Sequence, residues 1–215
     1  MDETTRREPQ PNTAALILEV AERLAQTQGF NGFSYADIAE ELKITKASLH
    51  YHFATKADLG RALIAGYGRK FDQALAQIGA APPRDMLRRY VKLYESVLVR
   101  DRMCLCGMLA AEYSSLPAPM RVELRGFFDR NETWLVAQLE RGRKAGELQF
   151  EGSPVDLARM LTAGLEGAML LARSYEEPAR FGATARRLLA EVNATRRKSR
   201  RGGGRKRRAV SGTRQ

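Results

Sequence analysis

A disulfide framework is excluded by composition. The chain has only Cys104 and Cys106, and a pair two residues apart cannot staple a fold. Stability must therefore come from packing, in a reducing compartment. Histidine is as scarce, and both copies, His50 and His52, stand in one short segment. At that interval they point to different faces of a helix, so no metal is expected. No uninterrupted apolar run reaches the roughly 18 residues of a membrane helix, and the opening MDETTRREPQPN is charged and proline-bearing, unlike a secretion signal. A cytoplasmic protein with no membrane partner is expected. No phosphate loop and no cluster of nucleophile, base and orienting group is visible, so neither an enzyme nor a cofactor is expected. Strand-like alternation and internal repeats are missing as well.

What is present is helical periodicity, and its most specific stretch is residues 34–56, SYADIAEELKITKASLHYHFATK. Ser34 stands three residues before Asp37 and just ahead of an apolar-periodic run, the arrangement of a capping box that starts a helix at Tyr35. Ile38, Ala39 and Leu42 share one face of that helix. Lys43-Ile44-Thr45 interrupts the pattern, and Thr45 can cap a second helix carrying Lys46, Ala47, Ser48, Leu49 and His50. Ala39 is small where the two helices must cross, while Ile44 and Leu49 face back into the angle between them. The remaining face, with Lys46, Ser48, His50, Tyr51 and His52, is polar and aromatic. A recognition helix presents such a face to base edges and phosphates in a DNA groove.

Together with the preceding TAALILEVAERLAQTQG, this segment resembles the N-terminal domain of the tetracycline-repressor (TetR) family, over about residues 12–67. The resemblance implies that Thr45, Lys46, Ala47, Ser48, His50 and His52 lie near bases or backbone, that Tyr51 and Lys56 meet phosphates, and that Tyr35 opens the first hairpin helix. Two positions depart from the family pattern. Lys43 occupies the turn where glycine is common, so it either avoids positive φ or adopts it at a cost. His50 replaces the first aromatic of an LYYHF-like run, here Leu49-His50-Tyr51-His52-Phe53, with a shorter ring that can donate or accept.

The net charge of +11 is not spread over the chain. Residues 196–215 hold ten Lys or Arg and no acid, which leaves 26 basic and 25 acidic residues elsewhere. Residues 1–60 hold six basic residues against nine acids, so the proposed DNA-binding head is slightly acidic. The basic tail, with its triple glycine and few apolar residues, is expected to be disordered. It serves either as a solubilising extension or as the backbone contact that the head lacks, since non-specific affinity grows with the phosphates neutralised.

The rest of the chain reads as helices. Apolar spacing predicts a connecting helix from Lys56 to about Ile78, a strongly amphipathic one over residues 84–99, and a shorter one over 106–116. Proline and glycine punctuation predicts two more, over 119–145 and from Ser153-Pro154 to about 175. A last helix carries Phe181, Ala185, Leu188, Leu189 and Val192. The fold expected is all-α: a flexible N-terminus (1–11), a three-helix helix-turn-helix domain (12–60), a larger helical ligand-binding and dimerisation domain (61–195) and the tail (196–215).

One hairpin reads only a few base pairs, whereas a two-fold dimer reads two half-sites about 34 Å apart, so a homodimer on a palindromic operator is expected. Leu161, Gly164, Leu165, Ala168 and Leu171 form a small, apolar face that lets another helix approach closely, with Phe181, Ala185, Leu188, Leu189 and Val192 as a second stripe. Each stripe serves equally well as intrachain core. For an effector pocket, Tyr67, Phe71, Tyr90, Tyr94, Met108, Tyr113 and Trp134 supply aromatic and thioether surface, although cores use the same residues. Glu112 and Glu166 are sharper markers, because an unpaired carboxylate is costly to bury in an apolar-rich helix. Cys104 follows Arg100-Asp101-Arg102 near a helix start, where a thiol pKa can fall; the competing role is a small buried hydrophobe.

These features describe a repressor released by an unidentified small molecule. A thiol-based sensor of electrophiles or oxidants is a variant of that reading. An effector-independent architectural protein acting through its basic tail is the rival.

Overall fold

The computed structural model describes residues 12–192, so the expected flexible N-terminus and disordered basic tail lie outside the described residues. Among the described residues there are nine α-helices, one short 3-10 turn and no strand. The head consists of α1 (Thr13–Gln28), α2 (Tyr35–Leu42) and α3 (Lys46–His52). α4 (Lys56–Gly79) leads into a body of α5 (Pro83–Leu98), α6 (Leu105–Ala111), α7 (Ala118–Lys144), α8 (Pro154–Ser174) and α9 (Pro178–Glu191). None of these helices is long and apolar enough to cross a membrane.

The boundaries follow local chemistry. Ser34 and Asp37 close the capping box at the start of α2, Thr55 and Asp58 repeat it at α4, and Thr45 and Ser153 cap α3 and α8. Proline, whose missing N–H is harmless in a first turn, opens α5, α8 and α9. Lys43 ends α2 in the left-handed region, with φ 53° and ψ 42°. Its N–H donates to the Glu40 carbonyl and that of Ile44 to the Ala39 carbonyl, at 3.2 and 3.0 Å, a Schellman-type stop usually given to glycine. A side chain there costs on the order of 1 kcal/mol.

In the head, Ile17, Val20, Ala21 and Leu24 of α1 pack with Phe30, Phe33, Ile38, Ala39 and Leu49, all buried. Burying Leu49 completely turns the opposite side of α3 outward. In the body, α4 packs on α7, and α8 makes its most extensive contact with α9.

That last contact corrects the expected dimer face. Leu161, Leu165 and Ala168 of α8 and Phe181, Ala185 and Val192 at α9 are buried within one chain. Gly164 permits the close approach: a Cβ there would meet Leu188 Cδ1 at 2.7 Å. The helix that comes close is α9 of the same chain. The face of α8 left exposed is another one, with Met160, Leu170 and Leu171. Of the proposed interface residues on α8, Leu171 is the one that points outward, while Leu188 and Leu189 are half-buried against the core.

Candidate nucleic-acid interface and effector site

Lys46, Ala47 and Tyr51 project from α3 into solvent, and Tyr51 is 86% exposed, more than any other large apolar or aromatic side chain of the described residues. Tyr51 meets the half-buried His52 edge-on, with ring centroids 5.2 Å apart. Thr45 and Ser48 stand at the start of α3, where the Ser48 N–H donates to Thr45 Oγ1 at 3.2 Å. A large bare aromatic, a free ammonium and a helix N-terminus on one short element suit a groove lined by phosphates.

The other expected contact residues are occupied with the head's own geometry. The Tyr35 hydroxyl donates to the Phe53 carbonyl at 2.8 Å, and burial followed by the Asp58 charge pushes its pKa up to about 12. His50 lies 4.8 Å from the Tyr35 ring, with Nδ1 3.1 Å from the Ala54 carbonyl oxygen. These two side chains brace the C-terminal end of α3. Lys56 is turned inward: Nζ donates to the carbonyls of Phe30, at 2.6 Å, and Phe33, and sits 4.8 and 4.5 Å from their ring centroids. Burial pulls its pKa down, against the opposing charges of Glu112 and Asp37. In this conformation the ammonium organises the α1–α2 loop and does not face outward.

The body grips that loop from the other side. Glu112 accepts from the N–H groups of Phe30, at 2.8 Å, and Asn31, at 3.4 Å. Gln26 Nε2 donates to the Met103 carbonyl and the Met103 N–H donates to the Gln26 carbonyl, at 3.0 and 3.2 Å. Arg173 Nη1 and Nη2 donate to the carbonyls of Gln26 and Thr27 at 3.2 and 2.6 Å, satisfying the end of α1. Glu112 is thus a strut between head and body, and its expected place in the pocket is corrected. Tyr113 is engaged away from the aromatic group of the body: its hydroxyl accepts from Arg125 at 2.6 Å, and the Arg121 guanidinium lies 5.2 Å from its ring. Met108 is half-buried against the core.

Tyr67, Phe71, Tyr90, Tyr94 and Trp134 do come together. A chain of ring contacts runs from Trp134 through Tyr90, Tyr94 and Phe71 to Tyr67 and Phe127, with centroids 5.3–6.5 Å apart. The buried Asn131 accepts from the Tyr90 hydroxyl at 3.1 Å and donates to that of Tyr94 at 3.3 Å. Cys104, at the start of α6, takes a long 3.7 Å contact from the Tyr67 hydroxyl. Glu166 reaches the same place from α8, where the Cys104 thiol is its hydrogen-bond partner. Gly107 makes room for it, because a Cβ there would run into Glu166 Oε2. Burial pushes the Glu166 pKa up to about 7, partly offset by the Cys104 hydrogen bond. Burial likewise pushes both thiols well above their ordinary range.

Sequence reasoning missed Asn131 and Thr162. Asn131 falls on the buried stripe Leu124, Phe127, Leu135 and Leu139 of α7, so a polar residue in a core register was its signal. Thr162 stands one turn before Glu166 on α8.

Comparisons with known proteins agree with both halves. Residues 17–63 match the model for bacterial regulatory proteins of the tetR family, and residues 83–188 match that for the tetracyclin repressor-like C-terminal domain. The transcriptional regulator AcuR of Cereibacter sphaeroides is 34% identical over 173 residues, covering 76% of this chain and 77% of its own. The HTH-type transcriptional repressor NemR of Escherichia coli is 24% identical over 176 residues, covering 77% and 87%. A TetR-family regulator from Agrobacterium tumefaciens, 35% identical, superposes with a TM-score of 0.81 over 84% of this chain and 97% of its own. With its head and its body each matched, the chain belongs to the TetR family and is a DNA-binding transcriptional regulator.

Proposed function

We propose that the protein is a homodimeric repressor that holds a palindromic operator with α3 and releases it when a small molecule enters the body. The observation that carries this reading is the bare face of α3, fixed from behind by Leu49, Tyr35 and His50. Lys46, Ala47, Tyr51 and His52 are the side chains assigned to the groove, with Thr45 and Ser48 on the backbone. Tyr35, His50 and Lys56 position them. The outward stripe of α8, with Met160, Leu170 and Leu171, is the reassigned dimer face. The basic residues 196–215 would add phosphate contacts without reading sequence.

Release follows from the junction. Met103, paired in both directions with Gln26, is the neighbour of Cys104, and Glu112 at the end of α6 holds Phe30. A ligand that favours one placement of α6 therefore biases α1 and the spacing of the two recognition helices. Footprinting the full-length protein upstream of its own gene, with and without a compound library, tests the reading. A symmetric protected site that persists at high salt and is lost with one compound is expected; uniform, salt-sensitive coating of any duplex would favour the architectural rival.

A thiol-sensing version is a second reading, resting on the place of Cys104 one residue from the Met103–Gln26 pairing that joins body and head. The resting thiols are buried and protonated, so iodoacetamide at pH 7 is expected to label them roughly tenfold or more slowly in the folded protein than in guanidinium. If operator release by N-ethylmaleimide survives replacement of both cysteines with serine, the sensor version is ruled out.

A further inference from the structure

Inside the body, a set of polar groups is almost but not fully paired. Tyr90, Tyr94 and Asn131 satisfy one another, and Tyr67 reaches Cys104. Three atoms of the body are shut off from solvent without a well-formed hydrogen bond: Gln138 Oε1 of α7 and, one helical turn apart on α8, Thr162 Oγ1, which interacts with the Tyr90 hydroxyl, and Glu166 Oε1. Glu166 as a residue keeps partial exposure, but that oxygen does not.

The charge balance around the carboxyl is one-sided. Its negative charge is felt by Tyr67 of α4, Tyr90 and Tyr94 of α5, and Cys104 and Cys106 at α6. Every one of these groups is neutral, or negative once ionised. From α7, Arg130 acts on Cys106, but no cation is among the groups acting on Glu166. A buried carboxylate facing only hydroxyls, thiols and aromatic rings is an unfinished ion pair. The missing half is a positive charge, and aromatic walls add to its attraction.

We propose that Glu166 is the recognition point of a binding site for a small organic cation, an ammonium or quaternary ammonium group, walled by Tyr67, Phe71 and Tyr94. The Thr162 hydroxyl provides a second acceptor for an N–H of the ligand. The regulatory meaning of the site rests on the effector-released reading above; the binding itself does not. A cation drawn to Glu166 sits against Cys104 and Gly107, one residue from the Met103–Gln26 pairing that holds the head. Binding therefore has a short route to α1.

Calorimetry on the full-length protein decides this. Tetramethylammonium and methylammonium chloride are titrated at matched ionic strength at pH 6 and pH 8, with tert-butyl alcohol as a neutral probe of similar size. Because only the ionised carboxyl pairs with a cation, and it titrates at about 7, at least one cation should bind about tenfold more tightly at pH 8 than at pH 6. The alcohol should not bind measurably. Glu166→Gln should lose the cation and the pH dependence. It should also melt higher than the parent at pH 8 and converge with it at low pH, since a raised carboxyl pKa costs stability as pH rises through about 7. That comparison shows that the variant folds. Absence of cation binding, equal binding of the alcohol, or pH-independent affinity would overturn the proposal. So would binding of acetate that tightens as pH falls, which would make the carboxyl a hydrogen-bond donor. If another compound releases the operator while neither cation binds, the ligand class is wrong and the repressor reading stands.

Discussion

Gly29→Ala is expected to lower the melting temperature by roughly 6–12 °C and to weaken the hold of the body on the head. Gly29 has φ 86° and ψ 163°, a region that essentially only glycine enters, so any side chain carries about 1–3 kcal/mol of strain. Space is also refused: a Cβ there would lie 2.5 Å from Glu112 Oε1. The carboxylate would have to give up the Phe30 and Asn31 N–H groups that it accepts from. Together these effects amount to about 3 kcal/mol, which for a chain of this size is the stated fall in melting temperature. Glu112→Ala is the control, because it removes the contact without the backbone strain. It should destabilise less than Gly29→Ala while loosening the same junction. Hydrogen exchange at Phe30 and Asn31 reads the loosening in both variants, and unchanged protection would remove Glu112 from the route between body and head.

The contrast between Glu112 and Glu166 shows where the sequence stops being readable. Both read from sequence as lone carboxylates in apolar-rich helices, although Glu112 falls just past the end of α6. One caps the backbone of residues 82 and 81 positions upstream, the other ends among tyrosines with an atom unpaired. Only the long-range packing of α1 on α6 and of α8 on α5 and α7 decides which is which. Local signals behaved differently. The Ser34–Asp37 box, the Thr45 cap and the Ser153-Pro154 pair act within a few residues, so the helix starts they mark fell within one or two residues of expectation. An exception is α6, which stops at Ala111 and hands over to a 3-10 turn at Tyr113–Ser115 before Leu116. The α8 stripe was legible as something to bury, because Leu161, Leu165 and Ala168 share a face. Its occupant was not, because α9 and a second subunit offer the same kind of surface.

Lys56→Met is expected to lower the melting temperature by roughly 4–8 °C and to leave the salt dependence of operator binding unchanged. A cation in the first turn of α4, next to a recognition helix, reads from sequence as a phosphate contact. In the fold its ammonium instead satisfies the Phe30 and Phe33 carbonyls and lies over both rings. Methionine keeps most of the apolar stem but provides no donor, so two carbonyls of the α1–α2 loop lose their partner, at about 1–3 kcal/mol. Since 1 kcal/mol moves a chain of this size by about 2–4 °C, a loss near 2 kcal/mol gives the stated shift. The DNA readout is independent of that loss when operator affinity is measured well below the melting temperature. Each phosphate neutralised adds about 0.9 to the slope of log K against log salt. If Lys56 faced the backbone, removing it would flatten that slope by nearly one. An unchanged slope with a lower melting temperature assigns Lys56 to the loop that Glu112 grips from the other side. Operator contact would then fall to the residues assigned to it on α3, with Lys46 as the cation among them.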